Sequence, residues 1–337
     1  MAKLQHEVPQ ANAWRTVVTA IGQIFRWVPP IYFIFAAIMI GIGLTNENFF
    51  THYRNTLNLL LQAAPLAVLA AGQLFVIISG GFDLSVGSII TFVVLGSSIM
   101  LSGNPEATYW VIAMMLGIGI VVGLFNGAVT HYLKVPSIIT TLGMMLTIKG
   151  AALLWSGGAP RGSLPAAFRV FGRDRMDKFL IWERFPHAVL ILAGIGIVAT
   201  LLLHRTNFGK QVYAVGDNPR AAALAGINVP LVRMICFALS GLFAAIAGVL
   251  LGGFSGVSTQ VGDGYELRAI TAVVLGGARL LGGRGGMPEA IMGAITLQAL
   301  FSLLNNLGLP QPLREAVQAV ILISAAAYAV LRERRKA

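Results

Sequence analysis

Side chains that could act in catalysis or metal binding are few and scattered in this sequence. The only cysteine, Cys236, lies in an apolar segment with no histidine or acid nearby, which favours a small buried hydrophobe over a nucleophile. The five histidines, at positions 6, 52, 131, 187 and 204, lack the spacing of metal ligands. The glycine cluster "GGARLLGGRGG" (276–286) lacks the lysine and the serine or threonine that end a nucleotide P-loop. The residues therefore predict no enzyme activity, no cofactor or metal, and no ATP binding by the chain itself.

Asp83 is an acidic residue at the edge of an apolar span, in the glycine-rich stretch "SGGFDLSVGS" (79–88). Gly80 and Gly81 free the backbone for a sharp turn. Asp83 or Ser85 could then cap a helix that begins at Val86. An ionisable group beside an apolar span is also a candidate for gating or solute passage. We take the cap as the default role and keep the gating role open.

Further polar side chains lie inside or beside apolar spans, where they could line a path for a polar solute. With Asp83 and Ser85 we assign Gln73, Asn126 and Asn305 to a candidate gating or translocation path. Each of these residues could equally make a hydrogen bond between helices. The other residues of this kind are Gln62, Thr140, Thr141, Lys149, Gln298 and Asn306.

The elements that must hold these residues are membrane-spanning helices. The chain has 337 residues, of which 56% are hydrophobic and 11% charged, and its mean hydropathy is +0.78. Soluble domains have about 25% charged residues, and about 17–25 apolar residues suffice to cross a bilayer. The sequence predicts an all-α, polytopic transmembrane bundle of about ten spans. They fall at roughly 28–44, 57–79, 86–101, 109–129, 135–155, 187–203, 231–252, 269–281, 290–307 and 313–331.

Two of these spans, 86–101 and 269–281, are short and contain or follow glycines. Transporters break helices around a path at segments of this kind. The stretches "GGFDLSVG" (80–87) and "GGARLLGG" (276–283) also resemble each other, and each follows an apolar run. This resemblance raises the possibility of a parallel internal repeat.

Lysine and arginine indicate the orientation of the bundle. With the N-terminus inside, most of them fall on the inner side, whereas the short outer loops hold only Arg54, Arg268 and Arg314. The outer loop 156–186, which is rich in arginine, is an exception. Cytoplasmic loops carry the excess of positive charge, so both termini are predicted to be cytoplasmic. The net charge of +11 then reflects topology and does not indicate a nucleic-acid partner.

The chain divides into three parts on this topology. Residues 1–27 form a cytoplasmic N-terminal segment with an interfacial helix and no cleaved signal peptide. Residues 28–331 form the transmembrane domain, whose longest inner loop is 204–230, and 332–337 are a basic cytoplasmic tail.

The loop 204–230 contains helix signals in "GDNPRAAALAGINVP" (216–230). Asn218 is a suitable N-cap, Pro219 suits the first helical position, and an alanine-rich run follows. Gly226 can adopt the left-handed conformation that ends a helix. The small side chains would let another protein approach closely, although a surface helix packed on its own domain is the alternative.

The stretch "RAAALAG" (220–226) resembles the EAA-x-x-x-G loop of ATP-binding-cassette importer permeases, with Arg220 in place of the usual glutamate. In that family the loop forms a coupling helix that docks on the ATP-hydrolysing subunit. The resemblance therefore implies an ATPase-coupling role for a set of loop residues. They are Asp217, Asn218, Pro219, Arg220, Ala221, Ala222 and Gly226.

Three further stretches make this resemblance more specific. The stretch 79–88, "NGAVTHYLKVPSIITTLG" (126–143) and "YELRAITAVVLGGARLLGGRGGMPEAIMGA" (265–294) are similar, in this order, to motifs of the ribose-type monosaccharide permeases. The resemblance implies a permease subunit of the bacterial inner membrane that carries a monosaccharide or sugar-like solute. Its implied partners are a cytoplasmic ATP-binding subunit, an identical or related second permease subunit, and a periplasmic sugar-binding protein.

An ion-coupled secondary transporter is the alternative class. Such a carrier would need a coupling site within the bilayer, but Asp83, Glu266 and Glu289 lie at predicted span edges. Glu266 and Arg268, in an outer loop, could instead meet an external binding protein or pair with each other. The sequence therefore favours the ATP-driven importer.

Overall fold

The computed structural model describes residues 28–179 and 182–334 of the chain. The interfacial helix predicted within 1–27 and the end of the basic tail, 335–337, lie outside the described residues. The helices are α1 (Pro30–Thr45), α2 (Tyr53–Ile78), α3 (Val86–Leu101), α4 (Thr108–Tyr132), α5 (Ser137–Ser156), α6 (Ala166–Arg169), α7 (His187–Arg205), α8 (Asn207–Asp217), α9 (Pro219–Leu224), α10 (Val229–Ser255), α11 (Tyr265–Leu275), α12 (Met287–Asn306) and α13 (Gln311–Arg334).

The predicted helical bundle is confirmed. Six of the described helices, α2, α4, α5, α7, α10 and α12, are long and apolar enough to cross a membrane, and α1 and α3 are apolar but shorter. The described strands, β1 (Arg175–Phe179) and β2 (Trp182–Pro186), pair antiparallel in one hairpin within the loop 156–186. Nearly all backbone polar groups of the bundle are thus satisfied inside helices, as a bilayer requires.

The helix at the predicted span 269–281 has different bounds from the span. Helix α11 begins at Tyr265 and ends at Leu275, and a loop follows up to Gly286. Gly277, Gly282 and Gly283 have positive φ in this loop, a conformation that is open to glycine and strained for other residues. The glycines therefore end the helix, although apolar residues continue beyond it.

Helix α2 lies at the centre of the bundle, with nearly all of its side chains buried from Ala63 onward. Helix α10 packs so closely on α4 that the two backbones are in contact. A Cβ added to Gly119 or Gly123 of α4 would overlap carbonyl oxygens of α10, and a Cβ added to Gly241 of α10 would overlap the carbonyl of Gly119. Small residues permit this close helix packing in membranes. Helices α4 and α5 expose large apolar side chains outward, among them Trp110, Phe125, Ile139 and Leu146.

Candidate functional site

In the segment 79–85 between α2 and α3, the amides of residues 79–81 still bond back to the last turn of α2, whereas those of Phe82 and Leu84 are bonded by another helix. Gly80, with φ +86°, turns the chain back after α2. The amide of Phe82 donates to Ser137 Oγ at 3.1 Å, and the amide of Leu84 donates to Thr141 Oγ1 at 3.0 Å. Two hydroxyls of α5 thus replace the missing backbone acceptors and fix the path of the segment.

Asp83 is fully buried and joins three parts of the bundle. Its Oδ1 accepts hydrogen bonds from Ser85 N at 3.0 Å and Ser85 Oγ at 2.6 Å, and its Oδ2 accepts from Ser240 Oγ of α10 at 2.9 Å. The Nδ2 of Asn126 on α4 donates to Ser85 Oγ at 2.9 Å. A buried carboxylate is stable only when such donors surround it.

Gln73 of α2 completes this cluster. With its amide oriented to satisfy both groups, Gln73 donates to Asp83 O at 3.2 Å and accepts from Asp83 N at 3.3 Å. We call Gln73, Asp83, Ser85, Asn126 and Ser240 the buried polar cluster. It joins α2, α4 and α10 to the segment that leads into α3.

The structure brings together four of the five residues assigned to the path, and it changes the role of Asp83. Ser85 is the N-cap residue of α3 but makes no side-chain cap hydrogen bond. Asp83 accepts from the amide of Ser85 itself and from α10, so it crosslinks helices and does not cap the first turn of α3. Asn305 lies apart, exposed at the end of α12, where it accepts from Arg314 Nη1 at 3.0 Å.

Ser240 and Ser137 were not among the residues predicted from the sequence; they lie in or beside apolar stretches. Ser240 stands in "FALSGLFAA", where a serine among small apolar residues is equally consistent with a hydrogen bond to its own helix. The signal that could have identified Ser240 is a polar residue inside a predicted apolar span. Its partner, 157 residues away, depends on the tertiary fold.

The two short helices α3 and α11 meet at their N-terminal ends inside the bundle. Gly87 and Gly262 are in such close contact that a Cβ on either would overlap the other's carbonyl oxygen. Thr91 Oγ1 also accepts from Gly262 N at 3.1 Å. The prediction that helices are broken at these two segments is consistent with this meeting of helix ends in the interior.

Glu266 and Arg268 do not share one surface site. The carboxylate of Glu266 lies against Gly87, in the first turn of α3, where the positive end of a helix favours negative charge. The guanidinium of Arg268 stacks over the rings of Tyr265 and Phe301 and approaches Glu315 at 4.0 Å. Glu266 thus belongs to the junction of α3 and α11.

The helix predicted in the loop 204–230 is confirmed as α9, and it ends at Leu224. The Oδ1 of Asn218 accepts from the amides of Arg220 and Ala221, both at 3.1 Å. Pro219 is the first helical residue, and Gly226 has φ +82°. The N-cap Asn218, Pro219 and Gly226 all act on residues within the same loop. This helix could therefore be predicted from the sequence.

The two faces of α9 divide the small residues that were expected to form a docking surface. Ala222 is 4% exposed and packs on its own chain, whereas Leu224 is 92% exposed. Arg220 and Ala221 are exposed as well. Every other residue of 219–226 is exposed too, so the side of α9 that is open to another protein carries small residues together with a large apolar side chain and a cation.

The residues just before α9 contact both glycine-rich stretches. A Cβ on Gly216 would overlap Ile78 O, at the end of α2, and would lie 2.6 Å from Gly283 N. Gly283 N itself donates to Ile78 O at 2.9 Å. We call Ile78, Gly216 and Gly283 the glycine joint. It links α8, α2 and the loop 276–286 by direct backbone contact.

Two hydrogen bonds secure the loop 276–286 on the same side. Tyr213 Oη of α8 donates to Gly285 O at 2.5 Å, and Met287 N donates to His204 Nε2 at 3.2 Å. Burial, with a smaller effect of the negative charge of Glu289, raises the pKa of Tyr213 to about 12, so its hydroxyl keeps its proton at neutral pH.

The sequence matches the family described as branched-chain amino acid transport system / permease component over residues 55–326. The ribose import permease protein RbsC of Escherichia coli (strain K12) is 34% identical over 293 residues, 86% of this chain and 89% of the relative. RbsC of Bacillus subtilis (strain 168) is 34% identical over 304 residues, 89% of this chain and 90% of the relative. The autoinducer 2 import system permease protein LsrC of Salmonella typhi is 34% identical over 270 residues, 80% of this chain and 76% of the relative. No solved structure matches the chain.

The family match covers most of the chain, and the three relatives align over four fifths of it or more. Six apolar helices of membrane-spanning length agree with the same assignment. The chain belongs to this family of transport-system permease components, as a non-catalytic, multi-pass protein of the bacterial inner membrane.

Proposed function

We propose that this chain is the membrane-spanning subunit of an ATP-driven importer and that its solute is a monosaccharide or a sugar-like molecule. The relatives named above import ribose and autoinducer 2, whereas the family description names branched-chain amino acids. The sugar-type motifs at 79–88, 126–143 and 265–294 support the former class of solute.

The proposed topology has about ten crossings with both termini in the cytoplasm. At about 1.5 Å per residue, the 16 residues of α3 and the 11 of α11 span less than the roughly 30 Å of a bilayer core. Their crossings are completed by 79–85 and by 276–286. The transmembrane domain is then 28–331, with the coupling loop 204–230 on the same side as the segment 1–27 and the tail 332–337.

The two glycine-rich loops also support an internal parallel repeat. Each follows a helix, α2 or α11, and precedes another, α3 or α12. The loops meet at the same end of the bundle, since Gly283 N donates to Ile78 O. A repeat of this kind would pair the two interrupted helices across the path.

The observation that carries the proposal is the continuous connection from α9 to the interior. Asp217, which precedes α9, packs on Gly283, and the glycine joint connects both to Ile78. Ile78 is five residues before Asp83, and the buried polar cluster then reaches α10 and α4. A displacement of α9 would therefore be passed to the segment 79–85 and to the meeting ends of α3 and α11.

The partners follow from this role. A cytoplasmic ATP-binding subunit engages α9 through exposed Leu224 and Arg220. Because Arg220 replaces an acidic residue, the facing surface of that subunit is expected to be acidic. A second permease subunit, identical or related, shares the path, and a periplasmic sugar-binding protein delivers the solute.

An ion-coupled secondary transporter remains the second candidate because of where Asp83 lies. Asp83 lies at the edge of a span, between the end of α2 and the start of α3, yet its carboxyl group is completely buried between helices. Intramembrane acids are typical of coupling sites. Against this, Ser85 and Ser240 already donate to the carboxylate, and Gln73 pairs with the backbone of Asp83, which is what a structural crosslink requires.

One experiment separates the two functions. The chain is reconstituted in liposomes alone and with its ATP-binding and solute-binding partners, and uptake of radiolabelled monosaccharides is measured with ATP or with an imposed proton or sodium gradient. We expect uptake only with the partners and ATP. Gradient-driven uptake by the chain alone, abolished by Asp83→Asn, would overturn the proposal in favour of the secondary transporter.

A further inference from the structure

A cavity of about 590 Å³ opens at the end of the bundle that carries α9. It lies between the end of α4, the start of α5, the second turn of α10 and the segment 79–82. None of the residues that line it belongs to the buried polar cluster.

The cavity is lined by three basic side chains and by no acidic one. They are His131, Lys134 and Arg233. Arg233 is half-buried, and none of the ion pairs within the described residues involves it. A guanidinium withdrawn from water without a carboxylate partner calls for an anion.

The start of α5 adds further donors to the same cavity. The N-cap residue of α5 is Pro136, which makes no side-chain cap hydrogen bond. The first two helical residues, Ser137 and Ile138, line the cavity. The first amides of a helix have no partner within it and favour negative charge. Thr130, on the α4 side, has a buried Oγ1 without a hydrogen-bond partner.

Apolar side chains continue from this cavity along the outer faces of α4 and α5. Leu133 and Ile139 are exposed beside its rim, and Val121, Leu142 and Leu146 are exposed farther along the same two helices. An inorganic anion would use only the basic part. A ligand with a phosphate and two acyl chains would use both parts.

We propose that this cavity binds the phosphate headgroup of an anionic phospholipid, with its acyl chains along α4 and α5. Basic pockets between helices at the cytoplasmic face are suited to such headgroups. Arg233 and Lys134 supply the cations, and the first turn of α5 supplies amides. The headgroup also contacts the backbone of 79–82, so that its occupancy stabilises the turn that leads to Asp83.

The test uses the full chain purified in a mild detergent and exchanged into nanodiscs of phosphatidylcholine mixed with the anionic lipid phosphatidylglycerol. Native mass spectrometry counts the phosphatidylglycerol molecules retained after detergent extraction. The variants are Arg233→Gln, Arg233→Lys and Lys134→Gln. Lys210→Gln, an exposed lysine of α8, is the matched control for net charge.

We expect one tightly retained phosphatidylglycerol in the native chain and in Lys210→Gln. In Arg233→Gln its retention falls about tenfold, as for the loss of one charge-assisted contact. Arg233→Lys keeps the positive charge and retains part of the bound phospholipid, so it tests the site even if Arg233→Gln folds poorly. Lys134 is exposed, and Lys134→Gln loses part of the bound phospholipid.

Equal retention in all variants would overturn the proposal. A second arm titrates inorganic phosphate against the thermal unfolding midpoint in the absence of lipid. The lipid is rejected if phosphate raises the unfolding midpoint saturably, if this effect requires Arg233, and if no phospholipid is retained. The cavity would then be assigned to a free phosphate. Neither arm depends on transport, so the outcome is separate from the test of the proposed function.

Discussion

The segment 79–85 and helix α9 both connect longer helices at the same end of the bundle, yet they are held in different ways. The segment 79–85 obtains its hydrogen bonds from α5 and α10, through Ser137, Thr141 and Ser240. Helix α9 obtains its capping bonds from its own Asn218. A segment bound to its neighbours moves with them, whereas a self-capped helix can move as a unit.

The difference suits the two regions for different tasks. Leu224 remains exposed on α9 because no part of the described chain covers it, so it is free to contact another protein. Asp83 is enclosed on all sides, so it can respond only when the helices around it shift. The glycine joint lies between them, and the lack of side chains at Gly216 and Gly283 allows direct backbone contact.

The largest effect is expected from adding one methyl group at the glycine joint. In Gly216→Ala the new Cβ overlaps Ile78 O, and rigid backbone cannot yield. We expect the free energy of unfolding to fall by more than about 3 kcal/mol, with loss of transport. Thermal unfolding in detergent and ATP-driven uptake measure both effects.

The matched change is Gly226→Ala, two residues beyond the end of α9. Nothing lies within 4 Å of its Cβ, and only the φ of +82° is unfavourable. Stability should therefore fall by only about 1–2 kcal/mol. Equal losses in the two variants would show that the joint is not tightly packed.

A second prediction concerns the buried polar cluster. Asp83→Leu leaves the hydroxyls of Ser85 and Ser240 without their buried acceptor. The expected loss of unfolding free energy is about 3 kcal/mol, compared with about 1 kcal/mol for Ser240→Ala, which removes one bond. Thermal unfolding of both variants measures the difference, and a fully stable Asp83→Leu would contradict the crosslinking role.

The smallest effect on stability is expected on the exposed face of α9. Leu224→Asp should change the free energy of unfolding by less than about 0.5 kcal/mol, because the side chain is in water already. ATP-driven uptake should fall at least about tenfold, as for a central interface residue. Leu307→Asp, an exposed leucine beyond α12, is the control and should transport normally. Unimpaired uptake by Leu224→Asp would remove α9 from the coupling role.

The helical class and α9 could be predicted because their signals are local. Apolar runs determine the long helices, and the order Asn218, Pro219, Gly226 marks both ends of α9. The end of α11 at Leu275 was missed because "VVLGGARLL" remains apolar beyond the glycines that end the helix. Hydropathy measures transfer to the bilayer and not backbone conformation.

By itself the sequence determined a polytopic helical membrane protein, the motifs that indicate its family, and the capped helix in its longest loop. Only the tertiary structure decided that Asp83 crosslinks helices, that Ala222 faces inward, and that Asn305 lies apart from the cluster. The physical reason is distance along the chain. Caps and apolar runs depend on neighbours within a few residues, whereas Asp83 meets Ser240 only after α2 and α10 have packed.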